Sequence, residues 1–129
     1  MESVSALDDA ELMSRLGSLV AEECALTARL LVHLGEVDAR GLYREQAFSS
    51  MFEYAIEVLH MSEHEAYLRI RAARLGRQFP RILAMLEANE LHLTAIKLLG
   101  PHLTEANHVE VLNRARGKSR SELKGSWRS

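Results

Sequence analysis

Apolar residues in this chain recur at steps of three, four and seven, and nowhere do they alternate with polar ones in the two-residue period of a strand. That pattern restricts the fold to packed helices, and the expected class is all-α: a single multi-helix domain spanning residues 1–129. The longest run lies between Ser18 and Ala39, where Leu19, Leu26, Leu30, Leu34 and Val37 mark one buried stripe. Asp8 and Glu11 have the spacing of a capping box, so a short first helix is expected to stop near Gly17, with Gly41 ending the long one. These N-terminal helices occupy 8–41. A second box, Ser62 with Glu65, starts a helix at Glu63 that runs to Leu75 or Gly76, after a short helix capped by Ser49 or Ser50. Short helices fill 81–116: Arg81 to Ala88, the apolar LHLTAIKLLG, and Glu105 to Ala115 behind a Thr104 cap. A basic, truncated tail follows over 117–129.

Composition narrows the function classes. Hydrophobic residues make up 47% and charged residues 26% of 129 residues, the balance of a globular domain large enough to bury a core. Cys24 is the one cysteine, which excludes an internal disulfide and a cysteine-rich zinc site and favours a reducing cytoplasm. It reads as a small core residue. No apolar run approaches the ~18 residues of a membrane span, and the acidic N-terminus is unlike a signal peptide. The net charge of −2 gives no hint of nucleic acid. Its distribution does: residues 1–38 are acidic, and arginines gather further along.

Those arginines define the most informative segment, FSSMFEYAIEVLHMSEHEAYLRIRAARLGRQFPR. Two helices joined by a break at His60-Met61-Ser62 have the form of a helix-turn-helix unit, over 50–76, whose second helix can enter a DNA groove. In a 20-residue window from Phe52, Ala55, Leu59, Met61 and Ala66 supply the required apolar places. The turn position that often holds glycine is His60, so a looser turn is expected. Arg69 falls where an apolar residue is usual. The expected DNA-binding residues are Ser62, His64, Tyr67, Arg69, Arg71, Arg74 and Arg77. The arginines would anchor phosphates, and Ser62, Glu63, His64, Tyr67, Leu68 and Arg71 would lie towards base edges. The competing reading is a helical hairpin with a solvated arginine face.

No catalytic constellation accompanies this segment. His60-Met61-Ser62-Glu63-His64 matches the H-x-x-E-H string of some zinc peptidases, but the capping box falls inside it and separates the two histidines. His102 and His108 flank Thr104 without a carboxylate or cysteine at usable spacing. Phosphate-cradling glycine loops, dinucleotide fingerprints and nucleophile elbows are absent. The expected catalytic residues, metal ligands and cofactors are therefore none, and no small-molecule substrate is evident.

The segments SSMFEY, VLHMSEHEAYLRIRAAR, LHLTAIKLLGPHLTEAN and GKSRSEL resemble the helical N-terminal region of bacterial HNH endonuclease-like proteins, over about Asp8 to Leu123. The middle segment also resembles the helix-turn-helix of partition-type DNA-binding proteins. The resemblance implies a helical fold and a duplex DNA partner. It does not extend to cleavage, because the catalytic His/Asn motif and the cysteine pairs of the nuclease domain are missing. A second reading treats the chain as a non-enzymatic protein–protein interaction module, or a homodimer joined through the long helix.

Overall fold

The computed structural model describes residues 3–116, which form helices and connecting turns without a strand. A 3-10 turn at Val4–Ala6 leads into α1 (Asp9–Arg40), followed by α2 (Leu42–Glu45), α3 (Met51–Glu57), α4 (Glu63–Gln78), α5 (Arg81–Glu87), α6 (Leu93–Leu99), a second 3-10 turn (Gly100–His102) and α7 (His108–Ala115). The tail 117–129 and its expected Gly117 stop lie outside the described residues. Among the described residues no helix is long and apolar enough to cross a membrane.

The N-terminal pair of helices expected from sequence is one helix. Asp8 caps it, accepting from the Glu11 N–H at 2.8 Å, and the helix continues through Gly17 for 32 residues, about 48 Å. A glycine in a helix interior costs only about 1 kcal/mol relative to alanine, too little to break a run with good formers on either side. Gly41 ends α1 in the left-handed conformation, φ 66°, as expected.

The other starts follow the sequence more closely. Ser50 caps α3 by accepting from the Glu53 N–H, and the Glu53 carboxylate reaches back to the Ser49 hydroxyl and N–H. Those hydrogen bonds, the hydroxyl's first, hold the Glu53 carboxyl below its usual range. Ser62 and Glu65 close the second box, and α4 extends past Gly76 to Gln78. Thr104 and Asn107 exchange reciprocal hydrogen bonds, but they close a turn, and α7 begins only at His108.

α4 is the central element. α1 and α5 pack on it and on each other, and α3 and α6 also pack against it. Its inward residues Ala66, Ile70, Ala72, Ala73 and Gly76 are small or aliphatic, so neighbouring backbones approach closely. Phe79, Leu31, Met51, Ile82, Ile96, Leu99 and Leu112 fill the centre, each worth about 1.5–3 kcal/mol on burial. The Phe79 ring meets the imidazole of His108 at 4.7 Å and ties α7 to the start of α5.

The expected buried stripe on α1 is only partly buried. Leu34 is enclosed, Leu30 and Val37 are half-buried, and Leu19 and Leu26 face solvent. The covered positions are Ala28, Leu31, Leu34 and Gly35. The body grips α1 on a line rotated from the leucine repeat, and only along its C-terminal half.

Candidate nucleic-acid interface

The turn between α3 and α4 is tight rather than loose. His60 adopts φ 58°, the left-handed conformation that usually requires glycine, and the Met61 N–H donates to the Ala55 carbonyl at 3.1 Å. Ala55 and Ala66 are fully buried against each other's helices, Met61 is half-buried, and Leu59 is exposed. This brings the capped start of α4 to the surface. His60 precedes the helix and His64 lies exposed in its first turn, so the H-x-x-E-H string spans a helix start.

Helical geometry then sorts the sequence-predicted residues. Glu63, His64, Tyr67, Arg71 and Arg74 share one outward face of α4, with Ser62 at its head. Leu68 does not belong to it: it is buried, 8% exposed, on the inward side. Arg69 also points away from this face and pairs with Glu65 at 3.2 Å across one turn.

The arginines fare differently from one another. Arg74 makes a two-pronged bond to Asp38 of α1, Nε to Oδ2 at 2.8 Å and Nη2 to Oδ1 at 3.0 Å. These hydrogen bonds push the Arg74 guanidinium further towards its charged form. Arg77 reaches Glu36 at 3.4 Å, and Glu36 also accepts from Arg40 at 2.9 Å. Arg40 first and Arg77 second hold the Glu36 carboxyl below its ordinary value. The acidic C-terminal end of α1 thus neutralises the end of the arginine run, and a phosphate at Arg74 or Arg77 would have to displace a carboxylate.

Arg71 is placed otherwise. Among the described residues no carboxylate pairs with it, and its guanidinium lies 5.7 Å from the centre of the Tyr67 ring. Lys97 of α6 approaches the same ring at 5.5 Å. An exposed aromatic flanked by two cations results, beside a cleft of about 250 Å³ lined by Ser50, Phe52, Tyr67, Arg71 and Arg74. Lys97 was not recognisable from sequence. It stands in LHLTAIKLLG, whose apolar neighbours mark a buried helix, and only the packing of α6 on α4 brings its amine to Tyr67.

Among the described residues no group of three or more His, Cys, Asp or Glu is arranged to hold a metal ion. No protein-family model, curated protein or solved structure matches this chain.

Proposed function

We propose that this chain is a non-catalytic DNA-binding module that holds duplex DNA with α3, the His60 turn and α4 acting as a helix-turn-helix. The observation that carries the reading is the exposed Tyr67 with the half-buried Arg71 and Lys97 beside it, on an outward face of α4. Arginine and lysine there suit phosphate oxygens, while Tyr67 and His64 stand nearer the groove floor. Ser62 heads the helix, whose first N–H groups favour an anion. Glu63 works against phosphate at that end and suits a cytosine amine instead. The resemblance of the sequence segments to the helical N-terminal region of HNH endonuclease-like proteins, and of the middle one to the helix-turn-helix of partition-type proteins, implies the same partner.

The site so proposed is smaller than the arginine cluster. Arg71 and Lys97 contact phosphate; Arg69, Arg74 and Arg77 serve the fold. Fluorescence anisotropy on mixed-sequence duplex DNA over a salt series tests this division. Replacing Arg71 and Lys97 with Ala together is expected to weaken binding and flatten the log–log salt slope by about 1.8, two contacts at roughly 0.9 each. An unchanged affinity and slope in that variant would remove the proposal.

A further inference from the structure

The N-terminal half of α1 is left uncovered by the body of the protein. Every residue from Asp9 to Glu23 is exposed, a length of about 22 Å at 1.5 Å per residue. This overhang is not polar. Leu16 is 57% exposed, Leu19 59% and Met13 69%, and Leu26, although level with the buried Ala28, is 61% exposed. An isolated helix of about 15 residues is marginal in water, and one displaying large apolar side chains gains nothing from standing free.

Two apolar lines run along this helix. Met13 and Val20 continue the line of Leu31, which the body covers further on, and Val20 stands at the edge of a groove of about 440 Å³ lined also by Cys24, Thr27, Leu68, Leu91 and Leu93. The second line is Leu12, Leu19 and Leu26, at seven-residue intervals and within ~40° of one another around the axis. Leu16 falls between Leu12 and Leu19 and Leu30 follows Leu26, at the alternating steps of four and three of a two-stranded coiled-coil seam, with Glu23 at the place between Leu19 and Leu26. The body leaves all three members of that second line exposed.

Charge identifies the occupant. On one flank of the leucine line stand Glu11, Arg15, Glu22 and Arg29, within ~40° of one another and alternating in sign. When two copies of α1 are laid antiparallel with Leu19 at the two-fold, Glu11 of one copy meets Arg29 of the other and Arg15 meets Glu22. Leu12 then packs on Leu26. In a parallel pair the same flank faces the opposite one, Met13, Val20 and Thr27, which carries no charge to meet it. We infer that this overhang is a self-association element: two copies of the chain pair through the N-terminal halves of α1, antiparallel, in an isologous contact centred on Leu19.

Analytical ultracentrifugation of the full chain over a concentration series, with far-UV circular dichroism alongside, tests the pairing. The expected result is a monomer–dimer equilibrium. Leu19→Glu should weaken it roughly a hundredfold or more, because both copies lose a buried leucine at once. Leu19 is exposed and outside the core in a single copy, so the Leu19→Glu monomer should melt as a folded helical protein. Orientation is read by cross-linking in a Cys24→Ser background: mixing L12C chains with L26C chains should yield a disulfide between unlike chains. A chain that stays monomeric throughout, a dimer indifferent to Leu19→Glu, or cross-links formed only between like chains would each overturn the inference.

Discussion

His60 and Gly76 show how much of the geometry rests on single positions. A histidine at φ 58° is strained by roughly 1–2 kcal/mol relative to a right-handed conformation, a cost absent for glycine. Glycine loses more entropy on folding, so the two effects partly offset. His60→Gly is expected to stabilise the chain by about 0.5–1 kcal/mol in urea melts; a destabilised variant would mean that the imidazole supports the turn. Gly76 gives the opposite case. A methyl group there would lie 2.8 Å from the Leu83 side chain, where α4 turns back into α5. Gly76→Ala should therefore cost about 1–3 kcal/mol by overpacking, lowering the urea midpoint without changing the slope. Neither outcome was visible in sequence: His60 only marked an unusual turn residue, and Gly76 read as a helix stop. The caps were legible because a serine with a glutamate three places on specifies its own hydrogen bonds.

Between elements, the decisive contact is that of α1 with α4. Asp38 and Glu36 receive Arg74 and Arg77, converting an apparent DNA-facing cluster into a clamp between two helices. Sequence could separate an acidic N-terminal third from a basic helix, but it could not show that the two abut, because their partners are 36 and 41 residues apart. For the same reason the α1 stripe was recognised as helical but only its C-terminal members, Leu30, Leu34 and Val37, meet the core. Periodicity fixes the spacing of apolar residues, whereas tertiary packing selects which of two adjacent lines is covered. The clamp has a pH signature. Glu36 titrates below its ordinary value of 4.5 in the folded chain, so its contribution is present above that value and is lost as pH falls through the depressed folded one. Glu36→Gln should lower the melting temperature at neutral pH, and the gap from the parent should narrow progressively as the pH is lowered below 4.5. A gap that does not narrow with acid would show that the glutamate acts by packing rather than by charge.

Taken as a whole, the molecule has a body and an arm. The body buries its apolar residues around α4 and turns Tyr67 outward with the half-buried Arg71 and Lys97 beside it; the arm exposes leucines that only another helix would cover. The two features become one device if the paired arms hold two bodies at a fixed separation on one duplex. Binding a long duplex would then gain from effective concentration: once the first body docks, the second binds as an intramolecular event. Leu19→Glu leaves the α4 face untouched, so its affinity for a duplex of about one helical turn should equal that of the parent chain. On a duplex of about three turns the parent should bind at least tenfold more tightly than the variant, a conservative share of the 10²–10⁴ range for linked sites. The comparison also separates the two proposals. Equal affinities on both duplexes from a chain that does dimerise would mean that the arms place the α4 faces where a single duplex cannot reach both.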